Sequence, residues 1–172
     1  MNIQPATFST GDWIVHARYG VGQVEGLEKK ELDGEKRLFF KVKTFDGVYW
    51  LSAVRTDAEY IRPITSEHQI KRALTIIRRP PKELPENHTE RHKLVIETLK
   101  DPSLYPKARM IRDLNGKLHE TKLNFTEEDA FLLLKKQLLN EWSVVQDTER
   151  EILEEKLDQA LETSIDKRVA ES

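Results

Sequence analysis

Cysteine is absent from the 172 residues of this chain, which excludes disulfide frameworks and thiolate metal sites. The absence is typical of proteins in a reducing compartment, so we expect a cytoplasmic protein. No apolar run approaches the ~20 residues that span a bilayer, and no membrane segment is therefore expected. Residues 1–5 contain no basic region followed by an apolar stretch, so no secretory signal is expected.

The residue patterns of enzymes and metal sites are also missing. Gly20-Val21-Gly22 lacks the later glycine and the Lys-Ser/Thr pair of a phosphate-binding loop, so a turn is the better interpretation. His88 and His92 lie four residues apart, a spacing that can bind zinc on a helix. Glu90 lies between them at a position that does not match the H-E-x-x-H motif, and the sequence indicates no third ligand. His16 is interpreted as a structural side chain. We expect no enzyme activity, cofactor, metal or small-molecule substrate.

The charged residues, 34% of the chain, are unevenly distributed. Residues 1–65 carry 9 basic and 9 acidic side chains, residues 66–122 carry 13 and 8, and residues 123–172 carry 6 and 13. A basic middle segment is typical of a protein with a local anionic partner. The alternative is that basic and acidic helices pair with each other in one bundle, and charge alone favours neither interpretation.

The first 65 residues predict β structure. Short runs rich in β-branched and aromatic residues or punctuated by glycine lie at residues 13–15, 19–24, 37–42 and 48–51. Between the later runs stand Asp33-Gly34 and Asp46-Gly47, and both pairs favour the positive φ angles of type I′ hairpin turns. Gly20 and Gly22 predict a sharp bend or a β-bulge. Short strands with such turns predict a small closed or nearly closed barrel, because closure removes exposed strand edges.

After residue 65 the pattern becomes helical. Ser66 is the expected N-cap of a first helix, and Pro80-Pro81 ends that helix because proline lacks the N–H group. Apolar residues then recur at helical spacing to the end of the chain, which predicts about five helices. We therefore predict an α+β protein with two domains: a β-barrel over residues 1–65 and an all-α helical bundle over residues 66–172.

Finer features of the bundle can also be predicted. A second helix is expected to begin near residues 87–89, and Thr126 is expected to cap a later helix that has acidic residues in its first turn. Gly116 weakens the third helix, which favours two pieces. Residues 167–172 are expected to fray.

Specific residues of the first domain resemble the CarD/CdnL family of bacterial transcription regulators, whose module also occurs as the RNA-polymerase-interacting domain of the transcription-repair coupling factor. The resemblance lies in Phe8, Gly11-Asp12, Ile14-Val15-His16, Tyr19-Gly20-Val21-Gly22, Val24 and Leu27-Glu28. It extends through residues 38–42, Ala58-Glu59-Tyr60 and Arg62, and more weakly through residues 97–99 and 112–114. It implies a Tudor-like barrel that binds the RNA polymerase β subunit. It also implies a helical domain that contacts promoter DNA without sequence specificity, at the upstream edge of the promoter bubble.

The resemblance also implies site residues on the second to fourth strands. Lys30 matches a basic contact position of the family. Trp50 stands where some members have arginine, so this contact would be apolar or cation–π, and half-burial in the barrel is the alternative. The polymerase-binding residues implied in this way are Lys30, Arg37, Tyr49, Trp50 and Leu51.

On the DNA side, some family members insert a tryptophan wedge at the start of a helix. His88 stands at that place, and Glu90 replaces a basic residue. A wedge buries a large apolar face between unstacked bases, whereas histidine is smaller and half polar, so we expect weaker wedging. Phosphate contacts need only charge and reach, although a solvated helix face is the alternative for each of them. The implied DNA-binding residues are Arg78, Arg79, Lys82, His88, Arg91 and Lys93.

Two functional hypotheses follow. The first is a non-catalytic bacterial transcription regulator whose barrel binds the RNA polymerase β subunit and whose helices contact promoter DNA to modulate open-complex stability. The alternative is a Tudor-like adaptor that binds another protein, with a helical scaffold tail and no role on DNA. The lost wedge tryptophan and the acidic end of the chain favour keeping the alternative.

Overall fold

A computed structural model describes residues 8–54 and 59–172 as a β-sheet followed by helices. The strands are β1 (Trp13–His16), β2 (Gly20–Leu32), β3 (Glu35–Thr44), β4 (Val48–Ser52) and β5 (Ile61–Pro63). The helices are α1 (Glu67–Arg78), α2 (His88–Lys100), α3 (Leu104–Glu120), α4 (Phe125–Gln146) and α5 (Arg150–Glu171). The α+β class predicted from sequence is confirmed, whereas Ala58 of the family resemblance lies outside the described residues.

The sheet is antiparallel, with the strand order β4-β3-β2-β1-β5. Strands β4 and β5 are its two edges, and within residues 8–54 and 59–172 no pairing joins them. The sheet is open, so the predicted Tudor-like barrel is not confirmed. Strand β5 has only 3 residues, and it pairs on one side with β1 and not on its other side with β4.

The two Asp-Gly turns behave differently. Asp33 and Gly34 have φ angles of 52° and 79°, which confirms the predicted type I′ turn between β2 and β3. The prediction is wrong for Asp46-Gly47, because neither residue has a positive φ. There the Thr44 hydroxyl accepts the backbone N–H groups of Asp46 and Gly47, at 3.3 and 3.1 Å, and closes a longer loop.

The irregularity in β2 lies later than predicted. Its register shifts between Val24 and Gly26 rather than at Gly20 or Gly22. Gly20 has a φ of 75° and opens β2 after a tight turn. At Gly22 a Cβ atom would lie 2.7 Å from Val42 Cγ1, so this glycine permits close approach of β3.

The starts of α1 and α2 follow the predicted local signals, whereas that of α4 does not. Ser66 caps α1 as predicted, in a capping box with Gln69. Asn87 caps α2 through the backbone N–H of Glu90, where a helix start was expected. The cap of α4 is Asn124 and not Thr126, because the Asn124 side chain accepts the Glu127 N–H at 2.9 Å.

The predicted break in α3 is wrong, since the helix continues through Gly116. A Cβ on Gly116 would lie 2.4 Å from Pro81 Cβ, so the glycine makes room for the loop after α1. At the end of the chain α5 remains helical to Glu171, although fraying was predicted. No helix within the described part of the chain is long and apolar enough to cross a membrane.

Apolar side chains form two cores. The sheet core includes Ile14, Phe40 and Val42, each at most 3% exposed. The larger helical core includes Trp142, which is 2% exposed, and side chains from all five helices. These two cores hold the sheet and the helices, and therefore the surface residues considered next, in place.

Candidate functional site

One candidate surface lies on β2, β3 and β4. Side chains alternate between the two faces of a sheet, so the cross-strand pairs Lys30 with Arg37 and Lys41 with Trp50 place four side chains on one face. Glu28 lies on the same face, opposite Phe39. We call Glu28, Lys30, Arg37, Lys41 and Trp50 the outer sheet face.

Trp50 is the centre of the outer sheet face. Its side chain is 42% exposed, which places it on the surface and not in the sheet core. The indole N–H donates to Glu28 Oε2 at 2.9 Å, and Lys30 Nζ lies 3.1 Å from the centroid of the ring. The hydrogen bond and the cation–π contact both fix the ring, so Trp50 is presented to solvent in one orientation. Arg37 is held less firmly, because its ion pair among the described residues is an exposed one with Glu35 at 3.5 Å.

The other two residues of the predicted polymerase contact point the opposite way. Leu51 belongs to the sheet core and is 6% exposed. Tyr49 stacks on Tyr19, with ring centroids 4.7 Å apart, and its hydroxyl has no hydrogen-bond partner among the described residues. Burial, followed by the neighbouring Tyr19, raises the pKa of the Tyr49 phenol. His16 packs against Tyr49 and accepts the Arg18 N–H at 3.0 Å, which fits its predicted structural role.

A second candidate surface consists of the last residue of α1 and the start of the connection to α2. We call residues 78–82 the basic loop, in which Arg78, Arg79 and Lys82 are exposed. The backbone of the loop is anchored on both sides: Ser164 of α5 donates to the Arg79 carbonyl at 2.6 Å, and Asp113 of α3 accepts the Lys82 N–H at 2.9 Å. These anchors hold the main chain while leaving the three cationic side chains in solvent.

Arg91 was predicted to contact phosphate, but its guanidinium is engaged inside the protein. Nε donates to Glu127 at 3.1 Å, and one terminal nitrogen donates to the carbonyls of Pro85 and Glu86 at 3.0 and 3.1 Å. The Arg91 side chain is 14% exposed and that of Glu127 is 2% exposed. Lys117 of α3 completes the cluster at 2.6 Å from Glu127. Arg91 therefore ties α2 to α4.

His88 and Lys93 lie exposed on α2. The rings of His88 and His92 are nearly parallel, with an interplanar angle of 7° and centroids 6.4 Å apart. Lys93 reaches Glu97 at 3.9 Å, and both side chains are more than half exposed, so this pair leaves the lysine available. In the part of the chain that the structure describes, no group of three or more potential ligands could hold a metal ion.

Several residues that the structure brings together carry no local sequence signal. Arg62 and Glu141 form a bidentate ion pair across 79 positions of sequence, with both N–O distances 2.7 Å. Lys107 donates to the carbonyl of Ala17 across 90 positions. Ion pairs and hydrogen bonds between residues so far apart in sequence can be predicted only when the packing of the helices against the sheet is known.

Comparisons with known proteins identify both parts of the chain. The family model described as CarD-like/TRCF RID domain matches residues 8–65, and the model described as CarD, C-terminal domain matches residues 72–158. A Bacillus subtilis (strain 168) protein named "Putative transcription factor YdeB" is 24% identical over 148 residues, which cover 84% of this chain and 97% of that protein. The family resemblance predicted from the sequence is confirmed.

Proposed function

Because this chain belongs to the CarD family of transcription regulators, we propose that it binds the RNA polymerase β subunit and contacts promoter DNA without sequence specificity, to modulate open-complex stability. The observation that carries the proposal is that both CarD domains match one chain, side by side. In this proposal the two roles divide between residues 1–65 and 66–172. The regulator is non-catalytic and cytoplasmic.

The outer sheet face is the proposed polymerase contact. Tryptophan and arginine are the residues that most often dominate the free energy of a protein interface. Trp50 is held by Glu28 and Lys30, so little side-chain freedom is lost when a partner covers it. Arg37 lies on the same face and supplies a charge at the rim. Leu51 and Tyr49 support this face from beneath.

The basic loop and the first two turns of α2 form the proposed DNA contact. Arg78, Arg79, Lys82 and Lys93 are exposed cations that can neutralise phosphates, which requires no base recognition. Arg91 contributes by positioning α2. His88 lies at the first residue of α2, where its ring can stack on an unpaired base but buries less surface than a tryptophan wedge. The DNA contact is therefore weak.

The proposal is tested by two binding measurements on the full chain. Trp50→Ala is expected to weaken binding to the β-subunit lobe by at least tenfold, about 1.4 kcal/mol, because an aromatic side chain that the partner would cover is lost. Phe45→Ala is the matched control, since Phe45 is an exposed aromatic on the loop after β3 and not on the outer sheet face. Equal affinities of the wild type and Trp50→Ala would rule out the outer sheet face as the contact.

A protein–protein adaptor without a DNA role is the second candidate. The observation that favours it is an apolar groove of about 500 Å³ between α2 and α4, whose lining includes Leu99, Phe125 and Leu132. Phe125 is 82% exposed. Binding of the full chain to forked DNA distinguishes the two candidates: the regulator binds with an affinity that falls with salt, and the adaptor does not bind.

A further inference from the structure

The sheet is attached to the helices by buried polar contacts. The first attachment joins β5 to α4, where Arg62 and Glu141 form their bidentate ion pair and Glu141 also accepts the Thr65 N–H at 3.0 Å. The Glu141 side chain is 3% exposed and that of Arg62 is 19% exposed. This pair holds the point at which the chain passes from sheet to helix.

The second attachment joins the turn between β1 and β2 to α3 and α4. Lys107 Nζ donates to the Ala17 carbonyl at 2.9 Å and to Gln137 Oε1 at 3.0 Å. The Gln137 amide nitrogen donates to the carbonyls of Ala17 and Arg18, each at 3.1 Å. One lysine and one glutamine thus bind the backbone of the turn from two helices.

A lysine in this position costs free energy. Lys107 is 8% exposed, and burial followed by the nearby Arg62 lowers its pKa to about 8. Asp101 and Glu141 oppose that shift. An apolar side chain of similar size would fill the same space without burying an amine, so stability alone does not explain the lysine. Directional hydrogen bonds do more than apolar packing to define one orientation of the turn.

We infer that Lys107 and Gln137 form a latch that fixes the orientation of the outer sheet face relative to the basic loop. The inference rests on the proposed function, because a fixed orientation matters only when both surfaces bind one polymerase–promoter complex. Once the sheet is bound, the basic loop meets DNA at an effective concentration set by geometry. Loosening the latch lowers that effective concentration and leaves each surface unchanged.

Pulsed EPR on the full chain tests the latch. The chain has no cysteine, so the pair Lys43→Cys and Glu155→Cys can carry spin labels on the exposed side of β3 and on α5. We expect one narrow distance distribution in the wild-type background. The double variant Lys107→Met with Gln137→Ala removes both donors to the Ala17 carbonyl. Because the turn then loses these hydrogen bonds to the helices, we expect the width of the distance distribution to increase at least about twofold.

The matched control is Lys136→Gln, which removes an α4 lysine that pairs with Asp46 in the loop between β3 and β4; the side chains are 40% and 66% exposed. This variant is expected to keep the narrow distribution, because exposed pairs contribute little. Circular dichroism shows whether each variant folds, and Gln137→Ala alone replaces the double variant if the latter is unfolded. A folded latch variant whose distribution is as narrow as that of the wild type would overturn the inference.

A kinetic measurement separates the latch from the proposed function. The double variant is expected to bind the isolated β-subunit lobe and forked DNA like the wild type, but to shift the open-complex lifetime about tenfold, or ~1.4 kcal/mol, back towards its value without the protein. A wild-type protein that binds neither partner contradicts the proposed function, whatever the EPR result. The latch is contradicted if the wild type binds both the β-subunit lobe and DNA, and the double variant has a broader distance distribution but the same open-complex lifetime as the wild type.

Discussion

At the scale of single residues, the buried carboxylate of Glu127 is expected to contribute strongly to stability. It is 2% exposed and pairs with Arg91 and Lys117, and the two cations come from different helices. Glu127→Ala leaves both cations without their partner, so we expect the free energy of unfolding to fall by ~3–5 kcal/mol. Chemical denaturation measures the change.

Glu128 provides the control for that prediction, since it is exposed in the same turn of α4. Glu128→Ala is expected to change the free energy of unfolding by less than about 0.5 kcal/mol. A similar loss in both variants would mean that the helix start, and not the buried cluster, is responsible.

Lys107 makes stability depend on pH. Its folded-state pKa of about 8 lies below the unfolded value of 10.5, so the folded protein binds fewer protons between these values. Stability relative to Lys107→Met is therefore lowest below pH 8 and rises as the pH increases towards 10.5, by at most ~1.4 kcal/mol per pH unit. Denaturation of both proteins at pH 7, 8.5 and 10 checks the sign, and a free energy of unfolding of the wild type that falls relative to that of Lys107→Met as the pH increases would contradict it.

At the scale of single residues the sequence does not distinguish a side chain on the surface from one that is engaged inside the protein. Lys30 and Trp50 were chosen from the resemblance, and the structure places them together on the outer sheet face. Arg91 was chosen by the same reasoning but pairs with Glu127, which lies 36 positions away. A basic residue in a helix looks the same in sequence whether its partner is a phosphate or a distant carboxylate.

At the scale of elements, the two Asp-Gly turns allow the effect of a Gly→Ala substitution to be compared within one protein. Gly34 has a φ of 79°, a left-handed conformation that costs residues with a side chain about 1–2 kcal/mol. Gly47 has no positive φ, and a Cβ there would meet open space. We expect Gly34→Ala to lower the melting temperature by roughly 2–4 °C for each ~1 kcal/mol lost, and Gly47→Ala to leave it nearly unchanged. Equal effects would contradict the assigned turn types.

Elements were predicted well where the signal was local. Ser66 and the prolines after Arg79 define α1 because capping and chain termination act within one helical turn. The predicted break of α3 at Gly116 is wrong because helix propensity disfavours glycine, whereas the close contact with Pro81 requires a glycine at this position. The predicted barrel closure is not confirmed, because closure depends on which strands β5 pairs with and not on turn signals.

At the scale of the whole molecule, the exposed cations of the proposed DNA contact determine how DNA affinity depends on salt. Arg78, Arg79, Lys82 and Lys93 can neutralise up to four phosphates, which predicts a log–log salt slope no steeper than about −4, at ~0.9 per phosphate. Lys82→Gln is expected to reduce that slope by ~0.9. Lys156→Gln, on the exposed face of α5, is the control and should leave the slope unchanged. An unchanged slope for Lys82→Gln would remove the basic loop from the DNA contact.

The arrangement of the whole molecule was the least predictable level. Whether basic and acidic segments pair could not be decided from charge, and the structure shows both outcomes: Arg91 and Lys117 from the basic segment pair with Glu127, while the cations of the basic loop stay in solvent. The latch contacts join residues 90 and 120 positions apart. Such contacts arise from packing, which no local pattern specifies.

The most direct measurement is the lifetime of a polymerase–promoter open complex with the full-length wild type, with Trp50→Ala and with a variant in which Arg78, Arg79 and Lys82 are replaced by glutamine. Simultaneous contact to polymerase and DNA predicts that the wild type changes the lifetime and that both variants abolish the change. A wild-type effect that survives both sets of substitutions would contradict the account.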